Sequence, residues 1–351
     1  MVTLKEIARE CNVSATTVSN ILNGRPKVSE ETKQKVLEVV QRRGYQPDYI
    51  AQGLRRQKTN CIGIIAEEIN QFTTPEILEG IMEVCEAKGY RTMIQNMRLY
   101  MRWNDTWYHN DTAYRSVMDP VMQKMISLKV DGLLYVAGHG RIIPYLAEHN
   151  SIPSVMVYAY TESEKVPSIV IDDEKGGYDM TKYLISKGHR KIGVIGGKKD
   201  NIHTQKRLMG YQTALFEEKI FYNPAWVRYG DWERPSGYEQ ARYLAQEGLT
   251  AIFCMNDNMT GGVYDYFREK GVQIGEEISI AGFDNRDISE YFYPRLTTME
   301  LSLRRIGIES ACLLLDSLES GKSLHTKNVV KKKIPCTLIE RESVKCIKPL
   351  T

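Results

Sequence analysis

From Cys61 onward, short β-branched runs alternate with longer helical stretches, and this alternation limits the possible folds more than any other feature. CIGIIA precedes a helical pattern over Pro75–Lys88. RTMIQ follows, then an irregular stretch and a helix over Asp119–Lys129. DGLLYVA, PSVMVYA, SIVID, KIGVIGG, WVRYG, AIFCM and ISIAGF continue the series, with helices over Glu174–Lys187 and Ser236–Glu247 among them. Parallel neighbours need a crossover long enough to hold a helix, so this order predicts doubly wound parallel sheets of α/β type. Gly89 and Gly188 each stop a helix just before a new strand, which predicts two similar lobes.

A chain of 351 residues is too long for one ordinary core. No apolar run approaches the roughly 20 residues of a membrane helix, and the N-terminus has no apolar segment of signal-peptide type. The expectation is a cytoplasmic protein with no membrane partner. The cysteines, Cys11, Cys61, Cys85, Cys254, Cys312, Cys336 and Cys346, are odd in number and form no CxxC pair. Reduced thiols are expected, with no disulfide framework, no metal site and no cofactor.

Residues 1–58 read differently from the rest. Thr3 and Glu6 have capping-box spacing and open a helix from Leu4 to Cys11, with Leu4, Ile7 and Ala8 on one face. Asn12 suits a left-handed turn, and Ser14 caps a second helix from Ala15 to Leu22 with Val18, Ile21 and Leu22 inward. Ser29 caps a third, with Val36, Leu37 and Val40 inward and Gly44 as its stop. Two short helices joined by a tight turn, with a third in support, make a small all-α helix-turn-helix unit. Residues 1–58 hold eleven Lys and Arg against six Asp and Glu, while the whole chain carries only +3, so the basic charge gathers at this end. That fits phosphate-backbone binding.

The second helix turns Ala15, Thr16, Ser19 and Asn20 outward. Asn20 suits bidentate reading of adenine, and Thr16 suits a base edge or a thymine methyl. Ser14, Thr17 and Ser19 suit phosphates. The plain alternative is a solvated polar face. Next, Pro47 enforces an extended entry, Asp48 can cap a short helix, and Gly53 weakens it. Leu54 beside Arg55 and Arg56 suits an apolar wedge between base steps of the minor groove. The alternative is a linker whose leucine packs on the body.

TLKEIARECNVSATTVSNILNG and VSEETKQKVLEVVQRRGYQPDYIAQGL resemble the head and hinge of the lactose-repressor family. SKGHRKIGVIGG, KRLMGYQTAL, MNDNMTGGVYDYF and EEISIAGFDNRDISEYFYPRLTTM resemble its sensor, which is built like a periplasmic sugar-binding protein. The resemblance implies a homodimer on palindromic double-stranded operator DNA. Ala15, Thr16 and Asn20 would be its base readers and Leu54 its wedge. Thr3, Asn23, Tyr45, Ala51 and Arg55 complete the expected DNA-contacting set. Two residues depart from the family pattern: Asn12 stands for a common turn glycine, and Asn20 stands where many members have arginine. The docking mode is therefore carried over, but the half-site sequence is not.

The same resemblance implies these boundaries: 1–46 DNA-binding domain; 47–60 hinge helix and linker; 61–160 with 293–324 first lobe; 161–292 with 325–340 second lobe; 341–351 tail. Chain crossings are expected near 160, 292 and 324. Ligands of open α/β sheets sit at the carboxyl ends of strands, here between the lobes. A sugar needs planar polar partners for its hydroxyls and an aromatic face for its C–H side. Phe72, Thr73, Asn201, His203, Arg207, Trp232, Asn256 and Asp284 lie in strand-end loops at matching family positions. Tyr158 stands where some members have aspartate. Separately, Trp232 fits a core, Arg207 a surface ion pair and Asp284 a helix cap or hinge residue. Asp257 is expected to cap the helix after AIFCM, and Asp172 and Asp173 fit either hinge or pocket.

The expected effector is a small sugar or glycoside, the alternative a purine or nucleoside. The resemblance implies repression with rigid-body switching. Segment 96–118 holds Tyr100, Trp103, Trp107, Tyr108 and Tyr114, and local packing is expected over a lid or a dimer surface. An enzyme or a free sugar-binding protein is the rival class. GVIGG lacks GxGxxG spacing, GxSxG, HExxH and P-loop motifs are absent, and the six histidines do not cluster. No C-terminal leucine heptad follows, so a dimer is expected rather than a tetramer.

Overall fold

The computed structural model describes residues 2–22, 24, 28–45, 58–104, 110–143, 152–161, 166–321, 324 and 330–347. The chain divides into two units, Met1–Thr59 and Asn60–Thr351.

The first unit holds α1 (Leu4–Cys11), α2 (Ala15–Leu22) and α3 (Glu30–Arg42). Glu6 N–H donates to Thr3 Oγ1, and Thr3 N–H donates to Glu6 Oε2 at 2.7 Å, so the capping box closes in both directions. Asn12 ends α1 at φ 56°, the left-handed turn read from the sequence. Ile7, Ala8, Cys11, Val18, Ile21, Val36 and Val39 are buried together, with Tyr45 packed on them. The inward face of α3 differs from the one expected. Val39 is buried and Leu37 is 43% exposed, because α3 meets α1 and α2 along the line of Val36, Val39 and Val40.

In the second unit a six-stranded parallel sheet runs in the order β11-β5-β4-β3-β1-β2. Here β1 is Cys61–Ala66, β2 Arg91–Asn96, β3 Gly132–Val136, β4 Ser154–Val157, β5 Ser168–Ile171 and β11 Lys331–Ile334. Helices α4 (Thr74–Ala87), α5 (Leu99–Trp103), α6 (Asp111–Ser127) and α12 (Leu303–Ser320) accompany it. The central strands are apolar and buried on both faces, as parallel strands between helices must be. The edge strand β11 reads KKKI with its lysines exposed, which discourages pairing with another chain.

The second lobe has the parallel order β7-β6-β8-β9. These strands are Ile192–Gly196 (β6), Val227–Tyr229 (β7), Ala251–Cys254 (β8) and Ser279–Ala281 (β9). Its helices are α7 (Asp173–Ser186), α8 (Ile202–Glu217), α9 (Arg234–Leu244), α10 (Asp257–Glu269) and the short α11 (Ile288–Tyr291). An antiparallel ribbon of β10 (Thr298–Glu300) and β12 (Thr337–Ile339) lies where the chain passes between lobes.

Three boundaries move from their expected places. Residues 168–171 and 331–334, assigned above to the second lobe, complete the first sheet, so those crossings fall after Ile171 and after Ile334. The crossing expected near 292 falls at β10, since Ala281 and Asp284 bridge Thr297 and Glu300 before α12 begins. Residues 341–347 are no free tail. Ile280 N–H donates to Ser343 O and Ile347 N–H to Lys187 O, which stitches the segment onto the second lobe. The helix of segment 96–118 also starts earlier than expected, at Asp111, with Asn110 capping it.

Candidate functional site

In the head, Thr16 and Asn20 are exposed on α2, and Ala15, Thr17 and Ser19 are half-buried. Ser14 Oγ accepts from Thr17 N–H at 3.0 Å and bonds the Thr17 hydroxyl at 2.8 Å, so both also cap the helix. Thr3 caps α1. Tyr45 packs on the head core. Asn23, Ala51, Leu54 and Arg55 lie outside the described residues.

Between the lobes, the site begins with two glycines. A Cβ on Gly177 would stand 2.3 Å from Arg207 O, and one on Gly210 would stand 2.0 Å from Glu174 O. Only bare backbone lets α7 and α8 approach so closely, and the approach brings Asp173 against the start of α8. Asp173 Oδ1 accepts from Arg207 Nε at 2.8 Å, and Oδ2 pairs with His203 Nδ1 at 2.7 Å. Burial alone would raise this carboxyl, but His203 and Arg207 hold it below its ordinary value. Arg207 also donates to Met255 O, and it lies 3.6 Å from Asp284 Oδ1. Asp173, read as ambiguous from sequence, is thus the buried partner of two cavity residues.

These groups open on an inner cavity of about 90 Å³. Phe72, Tyr158, His203, Arg207, Trp232, Asn256 and Asp284 line it. A Cβ on Gly197 would stand 2.1 Å from the Trp232 indole, so a bare backbone makes room for that ring. Tyr158, Trp232 and Asp284 have φ of 60°, 79° and 111°. Such angles cost about 1–3 kcal/mol in a residue with a Cβ, and they gather where side chains must be aimed. Burial pushes the Asp284 carboxyl well above its ordinary value, against the opposing pull of Arg207.

Two expected positions differ. Thr73 does not line the cavity; its hydroxyl donates to Gly138 O at 3.0 Å and holds the loop after β3. Asn201 lines only an adjoining outer cavity, because its Oδ1 accepts from His203 N–H and is turned into its own helix start. The cap of α10 is Asn256, whose Oδ1 accepts from Met259 N–H. Asp257, expected there, instead accepts from Thr298 Oγ1 at 2.7 Å and from Arg286 N–H at 2.8 Å, tying α10 to the crossing strand.

The sequence reading missed His139, Gln71, Glu233, Asn258 and Arg286, which also line the inner cavity. His139 sits after β3, and its strand-end position was the available signal. Its loop is anchored by Glu67, buried at the end of β1. That carboxylate accepts from Tyr135 Oη at 2.6 Å, Gly138 N–H at 3.0 Å and Arg141 Nη2 at 2.6 Å. The loop also reaches across the cleft: Gly140 N–H donates to His203 Nε2 at 2.8 Å. His203 therefore carries its proton on Nδ1, toward Asp173. In segment 96–118, Tyr114 is buried and Trp103 packs on the same core, whereas Tyr100 lines the outer cavity. Trp107 and Tyr108 lie outside the described residues.

Among the described residues no helix is long and apolar enough to cross a membrane, and no His, Cys, Asp and Glu cluster suits a metal ion. Residues 3–48 match the model of bacterial regulatory proteins of the lacI family, and residues 181–344 match a periplasmic binding protein-like domain. The chain is 31% identical to the HTH-type transcriptional repressor PurR of Vibrio atlanticus, over 99% of this chain and 100% of that protein. The repressor of the same name from Photobacterium profundum is 32% identical, over 98% and 99%. In fold, the chain is similar to a Lac repressor dimer bound to operator and the anti-inducer ONPF, with a TM-score of 0.79 and 24% identity over 98% of this chain and 99% of that one. From its matching head and sensor and these full-length relatives, the chain belongs to the lacI family of bacterial regulatory proteins, as a DNA-binding transcription repressor and not an enzyme.

Proposed function

We propose that this repressor acts in the cytoplasm as a homodimer on a palindromic operator, and that a purine base or nucleoside bound between its lobes controls it. The observation that carries the ligand reading is the inner cavity, where Phe72, Tyr158 and Trp232 stand with the Asp284 carboxyl. Phe72, Tyr158 and Trp232 offer flat apolar surface, and a carboxyl accepts from the N–H edge of a heteroaromatic ring. The relatives' name, PurR, points the same way. Several polar groups that a sugar would want are already engaged. Arg207 is committed to Asp173 and Met255 O, and the Asn256 amide to Met259 N–H and Trp232 O.

The sugar reading rests on Asp284, Asn256 and Arg207 around the Trp232 face, a set that also suits ring hydroxyls. A thermal-shift titration separates the two: purines and nucleosides should raise Tm and mono- and disaccharides should not, since a ligand of the folded state stabilises by mass action. A shift with sugars alone would reverse the assignment.

On DNA, Ala15, Thr16 and Asn20 face the bases of the major groove. Leu54 enters the minor groove, with Thr3, Ser14, Thr17, Ser19, Asn23, Tyr45, Ala51 and Arg55 completing the contacts. Ligand changes the angle between the lobes, and with it the spacing of the two heads, through its differential affinity for two lobe arrangements. Leu54→Ala should weaken operator binding while leaving ligand binding intact; unchanged operator affinity removes the wedge role.

A further inference from the structure

The inner cavity continues into an outer one of about 330 Å³, and both are bounded by Trp232, Phe72 and His139. Gln71, Glu233, Asn258 and Arg286 also line both. Aromatic rings surround Asp284 in the inner cavity. The outer wall adds Asn70, Lys198, Asn201 and Asp231, and across from Asp231 stands Tyr100.

Tyr100 reaches this place by a dedicated arrangement. It sits on the five-residue α5, bracketed by Arg98 at φ 54° and Asn104 at φ 48°. The buried Glu68 carboxylate holds that turn, accepting from Met101 N–H at 3.3 Å, while Leu99 N–H donates to Glu67 O. The Tyr100 ring lies 6.4 Å from that of His139. Tyr100 lines the outer cavity together with Asp231 and Glu233 of the opposite lobe, and burial with those carboxylates raises its hydroxyl above the ordinary value. Among the described residues neither the Tyr100 hydroxyl nor the Asn70 and Gln71 amides make a side-chain hydrogen bond.

We infer that the cleft is a two-chamber site for a two-ring ligand: a planar ring in the inner chamber, and a hydroxyl-bearing ring in the outer one, walled by Tyr100 and Asp231. Resting on the proposed purine effector, this makes a purine nucleoside the ligand rather than the free base. The inner chamber supplies stacking faces and the Asp284 carboxyl. The outer chamber adds the unengaged Asn70 amide, the Tyr100 hydroxyl and the free oxygen of the Asp231 carboxylate, whose Oδ1 accepts from Glu233 N–H, and these match ribose hydroxyls. Tyr100 is then a specificity residue drawn from the aromatic-rich segment 96–118.

The test is calorimetric titration of the full chain with two matched pairs: a purine base and its nucleoside, and glucose and a glucose disaccharide. Each is measured on the natural protein, Tyr100→Ala and Tyr100→Phe. The nucleoside should bind about tenfold or more tighter than the base, a difference of one decade in Kd. Tyr100→Ala should erase that gain and leave base affinity within about twofold, while Tyr100→Phe retains the part due to the ring. Equal affinity for base and nucleoside, or equal loss of both in Tyr100→Ala, overturns the two-chamber inference and leaves the purine reading standing. Binding of the disaccharide over glucose, with no purine binding, keeps the two chambers and overturns the purine reading. If no compound binds while operator binding persists, both fall.

Discussion

Replacing Gly140 with alanine adds one methyl group at a contact that links the two lobes. Gly140 N–H donates to His203 Nε2, and a Cβ on Gly140 would stand 2.4 Å from that nitrogen. Gly140 is not in the left-handed region, so alanine suits its backbone and only the contact resists it. Ordinary contact begins near 3.4 Å, so loop and ring must separate by about 1 Å. That lengthens the hydrogen bond beyond use and leaves a buried donor unpaired, at a cost of about 1–3 kcal/mol. If the bond exists only when the lobes are closed, the closed form loses that amount, which is about a 5–150-fold shift in the lobe equilibrium. Small-angle scattering of the ligand-free variant should show a larger radius of gyration, and operator affinity by fluorescence anisotropy should change with it. An unaltered scattering curve and unaltered operator affinity, at equal Tm, would refute the reasoning. The Gly140–His203 bond would then be a local contact with no part in lobe closure.

Three further outcomes are expected. Asn20→Ala should weaken operator binding by about 1–3 kcal/mol in a gel shift, and most at one base pair of the half-site, because a bidentate base contact carries discrimination as well as affinity. Thr3→Ala should lower the stability of the head by about 1 kcal/mol, read as earlier loss of its helical signal on heating, since the capping box loses its acceptor for Glu6 N–H. Asp257→Asn should alter the pH dependence of stability. Burial lifts the Asp257 carboxyl from 3.8 up to about 7, opposed by the hydrogen bonds from Thr298 and Arg286. A carboxyl raised in the folded state stabilises fully at acid pH and loses that contribution as pH rises through about 7. The asparagine variant stays neutral, so its Tm relative to the natural protein should climb between about pH 4 and about pH 7 and level off above; a pH-independent difference contradicts the ionisation.

The head and the strand-helix order were legible because their signals are local. A capping box needs only Thr3 and Glu6 three residues apart, and a left-handed turn needs only a tolerant residue such as Asn12. Where the local signal is ambiguous by one residue, the reading slipped: Leu37 and Val39 both fit an apolar stripe, and only packing on α1 and α2 selected Val39. Trp232, Arg207 and Asp284 were legible as polar and aromatic residues at strand ends. His139 and Arg286 were not, because nothing in their own segments shows that the opposite lobe lies against them.

The sequence by itself determined that residues 3–45 form a capped helix-turn-helix and that parallel α/β lobes follow, because backbone periodicity and helix caps are set by neighbours in the chain. Only the tertiary structure decided that β5 and β11 complete the first sheet, that 341–347 belongs to the second lobe, and that Tyr100 and Asp231 line one cavity. Each of these depends on contacts between residues far apart in sequence. The close crossings at Gly177 and Gly210 show the physical reason: whether a missing side chain is filled by solvent or by another helix's backbone is settled only when the two helices meet.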